Sequence, residues 1–249
     1  MKFLVCISQV PDTETKIRIS PGGESLDHTE TTWIINPWDQ LSLTRAVALK
    51  KEFPSIVESV TVISVGNGNT EHTLRKALSL GADKALRIDA EPLDSWFVAR
   101  QISEIINKDY FDIVFTGIES SDFNGYAVGG MLAELTGYTC LPDVSSIDIA
   151  EGRVMVQREV EGGREKLEAV VPFIAVIQKG IASAPSISSM KGIMEARKKD
   201  IEVVPAIDAE YFTEYIHYEL PALKKECELI TETNLYELVT KLHAEAGIA

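Results

Sequence analysis

Residues 114–137 read VFTGIESSDFNGYAVGGMLAELTG, and no other stretch constrains the fold of this chain so tightly. Asp112 to Thr116 is short, apolar and β-branched, the pattern of a buried strand. Val128, Met131, Leu132 and Leu135 then recur at i, i+3, i+4 and i+7, one stripe of an amphipathic helix. Between them lies a small, polar loop, Gly117 to Gly125, able to bring backbone N–H groups close to a ligand. A helix N-terminus leaves N–H donors unpaired and carries the positive end of a dipole, so it favours an anion such as phosphate. Strand, loop and helix in this order form the ligand-binding end of an open α/β sheet. An ordinary βα turn has the same pattern, and most such turns bind nothing.

The segments around this unit repeat its alternation. Lys2 to Ile7 reads as a first buried strand, and Lys16 to Ile19 as an edge ribbon before the Pro21-Gly22-Gly23 turn. Asn36-Pro37 combines a favoured N-cap with a favoured first helical residue, so a helix is expected from here to about Glu52. Val57 to Val65 is a second strand. The helix after it turns Leu74, Ala77 and Leu78 inward and stops at Gly81. Lys84 to Ile88 is a third strand, and Val98, Ile102 and Ile105 mark the next helix. Such alternation implies a parallel sheet with right-handed crossovers and helices on both faces.

After Pro142 the pattern changes. Val144 to Ile149, Arg153 to Val160 and Lys166 to Val171 read as antiparallel hairpin strands around Glu151-Gly152 and Gly162-Gly163. Pro172 to Gln178 is another apolar strand. Met190, Ile193 and Met194 share one side of a short helix that runs into Arg197-Lys198-Lys199. From Pro205 onward the chain reads as a tail, ending in a helix with Thr233 as N-cap, Leu235, Leu238, Val239 and Leu242 as its stripe and Gly247 as its stop. That stripe must be buried on its own domain or on another subunit. The expected fold is thus α/β, a doubly wound, mainly parallel Rossmann-like sheet with antiparallel strands added after residue 142. Residues 1–204 form the α/β domain and 205–249 a C-terminal arm.

A formal net charge of −14 argues against nucleic acid, and equally against an anionic membrane surface. The first residues run straight into a strand pattern without a secretory signal, and no apolar run is long enough to span a bilayer. Cys6, Cys140 and Cys227 are scattered, as reduced thiols of a cytoplasmic protein are. His28, His72, His217 and His243 form no metal-ligand spacing. There is no nucleophile elbow, zinc-protease motif, phosphate-binding Gly-Lys-Ser/Thr or EF-hand loop. Gly66-Asn67-Gly68 lacks the third glycine of a dinucleotide fingerprint. Strand ends nevertheless converge at one edge: Cys6 to Ser8, Asn36 to Trp38, Val65-Gly66 and Gly117 to Tyr126. An adenine nucleotide with its phosphate at an Asn124–Tyr126 helix start fits that edge.

Several stretches, taken together and in order, resemble the beta (small) subunit of electron transfer flavoproteins over nearly the whole chain. They are FLVCISQVPD from Phe3, INPWD from Ile35, TLRKALSLGAD from Thr73, Gly117 to Leu135, QREVEGGRE from Gln157, Val171-Pro172, and SMKGIMEARKK from Ser189. The resemblance implies a non-catalytic electron carrier that pairs with an alpha subunit holding most of a redox FAD. It implies a structural AMP in this chain, with Cys6 by the adenine. Asn36, Val65, Gly66, Asp122, Asn124, Gly125 and Tyr126 would line the ribose and phosphate, Pro37 and Gly117 would belong to the same cofactor site, and Trp38 would approach the flavin edge. Met190, with Ile193 and Met194, would anchor acyl-CoA or other primary dehydrogenases, and Arg197, Lys198 and Lys199 would add electrostatic steering. Electrons would pass on to a quinone oxidoreductase or a similar acceptor. The phosphate loop departs from the family, since a Thr and a Gln carried by many members would align with Gly125 and Ala127. Two alternatives stand beside this reading: a bifurcating complex with a second FAD in the AMP position, and an autonomous adenylate-binding signalling domain.

Overall fold

The computed structural model describes residues 1–223, 227, 229–231 and 234–246. In chain order the elements are β1 (Lys2–Cys6), β2 (Gln9–Pro11), β3 (Arg18–Ile19), β4 (Leu26–Asp27), β5 (Trp33–Ile35), α1 (Pro37–Glu52), β6 (Ser59–Val65), α2 (Glu71–Leu80), β7 (Lys84–Asp89), α3 (Ser95–Lys108), β8 (Ile113–Gly117) and α4 (Val128–Thr136). Then follow β9 (Thr139–Ala150), β10 (Arg153–Val160), β11 (Gly163–Ala169), β12 (Phe173–Ile177), α5 (Met190–Ala196), β13 (Ile201–Pro205) and α6 (Leu235–Ala246).

Among the described residues the main sheet has nine strands in the order β11-β10-β9-β12-β8-β1-β6-β7-β13. The run from β9 to β13 across this order is parallel, and only the β9-β10-β11 meander is antiparallel. This is the doubly wound α/β sheet that the alternation predicts. Side chains of β1 show why both faces are covered. Phe3 and Val5 join the core under α1 and α2, whereas Leu4 and Cys6 join the core under α3 and α4. With a side-chain period of two, a strand apolar at every position is stable only when both faces are buried. Phe3 meets Phe115 of the neighbouring β8 edge to face at 5.4 Å on the α1 side.

Several local differences from the sequence expectations have physical causes. β13 is not foreseen from the pattern. It runs parallel to β7 and extends the sheet through Pro205, so the arm begins where this edge strand ends. Short and carrying Glu202, β13 does not show the apolar density of a central strand, and its partner β7 decides its state. In α3 the inward face is Phe97, Ile102 and Ile106, with Val98 and Ile105 half-buried at its margins. Helix α6 forms, but Leu235, Leu238, Val239 and Leu242 are exposed rather than folded onto the sheet domain. Thr233 and Gly247, the expected cap and stop of that helix, lie outside the described residues.

Candidate functional site

From β1 the chain winds to β6 and β7 on one side, then returns to place β8 and β12 on the other. The switch therefore falls between the carboxyl ends of β1 and β8, where connections leave in opposite directions and a crevice opens. Residues of α1 close the base of this crevice. Asp39, in the first turn of α1 and only 3% exposed, accepts Ser8 N–H at 2.7 Å through Oδ2 and Gly117 N–H at 3.0 Å through Oδ1. One carboxyl group thus joins the residues that follow β1 to the end of β8. Burial pushes Asp39 up to about 7, against the bonds from Ser8, Asn36 and Gly117 that favour its ionised form.

Asn36 occupies the N-cap of α1, as Asn36-Pro37 predicts, yet its side chain makes no cap. It is diverted across the switch instead. Nδ2 donates to the Glu119 carbonyl at 2.8 Å, and Oδ1 accepts from Ser121 N–H at 3.2 Å. The loop after β8 is held by this amide from below. Gly117 has to be glycine for the same reason: a Cβ there would run into Asp39 Oδ1 and lie 2.9 Å from Trp38 Cβ.

The loop does not become helical at Asn124–Tyr126. Helix α4 starts at Val128, with Ala127 as its N-cap residue. Asn124 and Tyr126 sit at φ of 50° and 45°, and left-handed residues cannot continue into a right-handed helix. Asn tolerates that region, whereas for the bulky Tyr126 it is a strained position of the kind that clusters at ligand loops. The Tyr126 hydroxyl donates to Asp143 Oδ2 at 3.0 Å, and burial together with Asp143 pushes the phenol up to about 12. Asp122, Asn124, Gly125 and Tyr126 are all exposed on this loop.

Cys6 ends β1 and is buried. Burial first, and then the Asp39 charge, pushes its thiol far above the ordinary range, so it stays a neutral packing group. Val65 and Gly66 follow β6. A Cβ on Gly66 would collide with Thr70 Oγ1, so this glycine answers to the tight turn after the strand. The Gly66 carbonyl accepts from Arg87 Nη1 at 2.9 Å. Arg87 is itself buried and paired with Asp89 at 2.5 Å and Glu71 at 3.3 Å, so its charge is more than balanced.

Two buried polar atoms near the switch have no hydrogen-bond partner within the chain: Trp38 Nε1 at the start of α1, and Thr116 Oγ1 of β8, which packs under Gly129 of α4. Such groups are rare in folded proteins and cost about 1–3 kcal/mol each when left unpaired. Asp39, Arg87 and Thr116 escape the sequence reading. Asp39 alone carries a signal, as an acidic residue in the first turn of a helix opened by Asn-Pro, but the pattern does not say that it turns inward.

On the far side, Met190 (75% exposed) and Met194 present apolar surface from α5, and Ile193 is half-buried. Ser189 caps α5 by accepting Gly192 N–H at 3.0 Å. The basic run divides. Lys199 donates to the Ala82 carbonyl at 2.6 Å and is half-buried, which leaves Arg197 and Lys198 as its exposed members. Among the described residues no three His, Cys, Asp or Glu side chains are grouped to hold a metal, and no helix is long and apolar enough to cross a membrane.

Fold and rim together define a Rossmann-like α/β protein, elaborated by an antiparallel meander and a trailing arm. Residues 25–209 match the electron transfer flavoprotein domain family model. Over 214 residues, 84% of this chain and 80% of the relative, the sequence is 34% identical to electron transfer flavoprotein subunit beta of Methylophilus methylotrophus. It is 29% identical to the Bacillus subtilis subunit beta over the full length of both chains, and 29% identical to that of Mus musculus over 84% of this chain and 82% of the relative. The chain belongs to the electron transfer flavoprotein beta-subunit family.

Proposed function

We propose that this chain is the beta half of a heterodimeric electron carrier, which binds AMP permanently in the β1/β8 crevice and helps an alpha subunit hold its FAD. The observation that carries the reading is the cross-switch clamp, Asp39 and Asn36 fixing the residues after β1 and β8 on either side of the switch, with Trp38 Nε1 beside it buried and unpaired. That indole N–H would suit a polar ligand. Cys6, Asn36, Pro37, Val65, Gly66 and Gly117 would frame the adenosine end, and backbone N–H groups of Asp122 to Tyr126 the phosphate. No Lys or Arg lies between Gly117 and Gly137, so the phosphate would rest on backbone donors and the dipole of α4. FAD, when bound, supplies the redox chemistry by accepting and passing on electrons. Trp38, at the start of α1, stands on the rim where it would face the flavin. Met190, with Ile193 and Met194, would dock acyl-CoA or other primary dehydrogenases, and Arg197 and Lys198 would steer them.

The test is to co-express the chain with its alpha subunit, count flavins per heterodimer and identify acid-released nucleotide by chromatography. One flavin and one AMP are expected. Two flavins without AMP would replace the carrier reading by a bifurcating one. A chain that captures no alpha subunit and binds adenylate alone would make it an autonomous domain.

A further inference from the structure

The arm after β13 follows a defined course before it reaches α6. Gln101 of α3 exchanges two hydrogen bonds with Ile207, donating to its carbonyl at 2.7 Å and accepting its N–H at 2.9 Å. Asp94 caps α3 by accepting Phe97 N–H at 2.7 Å through Oδ1. Its other oxygen accepts Phe212 N–H at 2.7 Å and Thr213 N–H at 3.1 Å. Burial raises the Asp94 carboxyl, but the bonds from Phe97, then Phe212 and Thr213, together outweigh it and hold the group below its ordinary value. Phe212 packs on Trp96 at 5.7 Å. Tyr215 then stacks on Phe123 of the β8–α4 loop, with centroids 5.1 Å apart and planes 27° from parallel, and Tyr218 stacks on Tyr215 at 5.7 Å. Tyr218 N–H donates to the Gly23 carbonyl at 2.8 Å, and a Cβ on Gly23 would strike His217.

These attachments share one location. Asp94 lies in the connection after β7, Phe123 in the connection after β8 and Gly23 in the excursion after β1. In a parallel sheet all three connections leave from the carboxyl rim. Residues 207–218 therefore cross that rim from its β7 side to the hairpin of β3 and β4, and touch the centre of the β8–α4 loop on the way. Tyr215 is pushed above its ordinary value by burial, by Tyr218 and by Asp122, which puts the Asp122 charge near the strap as well. Phe123 and Tyr215 each remain about half exposed, so their stacking ties loop to arm and does not build the core.

We propose that residues 207–218 are a retaining strap, which closes the crevice by clasping the β8–α4 loop through the Phe123–Tyr215–Tyr218 stack and sets how slowly a bound nucleotide leaves. The inference rests on the reading of this crevice as an adenine-nucleotide site. The ligand's phosphate would sit on the loop that Phe123 belongs to, so the loop cannot swing away without parting the stack. Distal to the strap the arm carries exposed Leu220, Leu223, Leu229 and the α6 stripe, so a partner that grips this end would also hold the strap closed.

The experiment uses the full chain in complex with its alpha subunit, loaded with radiolabelled AMP and chased with excess unlabelled AMP. Phe123→Ala and Tyr215→Ala each release the label at least ten-fold faster than the unaltered protein, with melting temperature unchanged, and Tyr215→Phe restores slow release. Release from both alanine variants at the unaltered rate overturns the strap and leaves the crevice assignment standing. An unaltered complex that neither contains nor takes up AMP overturns the crevice assignment, and the strap's role with it.

Discussion

Replacing Asp39 by alanine removes both acceptors of the bridge across the sheet switch. Ser8 N–H and Gly117 N–H, at 2.7 and 3.0 Å from the carboxylate, would then lose their partner, Gly117 at a half-buried position and Ser8 at the surface. A donor left unmade away from water costs about 1–3 kcal/mol and one that water can reach costs less, so the loss is about 1–3 kcal/mol, carried mainly by Gly117 N–H. For a chain of this size each kcal/mol lowers the melting temperature by about 2–4 °C. The loss should also depend on pH. Asp39 titrates at about 7 in the folded chain, against about 3.9 in an unfolded one. Between those values the folded state binds more protons than the unfolded state, so this residue's contribution is full below about pH 4 and is lost as pH rises through 7. That difference amounts to about 4 kcal/mol over its whole span, of which roughly 3 kcal/mol falls between pH 5 and pH 8. The alanine variant lacks this slope. Urea unfolding of both proteins at pH 5, 6, 7 and 8 should therefore show the largest destabilisation at pH 5, narrowing by roughly 3 kcal/mol at pH 8. Every other titrating group is common to both proteins and cancels in the difference. A difference that stays level with pH would refute the raised carboxyl, and a loss under about 1 kcal/mol at pH 5 would refute the bridge.

Gly117→Ala should destabilise by about 1–3 kcal/mol through overpacking, and because the new Cβ strikes Asp39 Oδ1, its cost should shrink in the Asp39→Ala background; additive losses in urea would deny that contact. Asn36→Ala leaves the Glu119 carbonyl and Ser121 N–H unheld, so backbone amides of residues 118–127 should exchange with deuterium faster while those of β1 and β6 do not; unchanged protection of the loop would show that the amide is not what fixes it. Met190→Ala, at a side chain 75% exposed, should leave unfolding within about 0.5 kcal/mol of the unaltered protein. The same variant should slow flavin reduction by a primary dehydrogenase with cofactor content unchanged, and equal rates would remove Met190 from the docking surface.

Periodicity alone was enough for the sheet's central elements. Strands such as β1 and β8 are mostly apolar runs and β6 alternates Val and Ile with small hydroxyl residues, and a short run of that kind has few stable fates besides a strand covered on both faces. The start of α1 was equally legible, because Asn36-Pro37 is a local signal that needs no partner. Family resemblance, carried by short ordered stretches and not by periodicity, pointed to the same rim. The edge strand β13 was not legible, since its state depends on β7, a neighbour more than a hundred positions away.

Local pattern determined which segments are strands and helices and in what order, because propensity, capping and side-chain period act between residues a few positions apart. Tertiary structure alone decided where individual polar groups point. Asn36 has the identity of a cap but spends its amide on Glu119 and Ser121, 83 and 85 residues away. Asp39 looks like an ordinary first-turn acid and is instead the buried bridge between β1 and β8. The arm reads as a loose tail, yet Asp94, Phe123 and Gly23 hold its first part across the rim. A buried hydrogen-bonding group must find its partner wherever the fold brings one, and that partner is chosen by distance in space, which residue spacing along a chain does not encode.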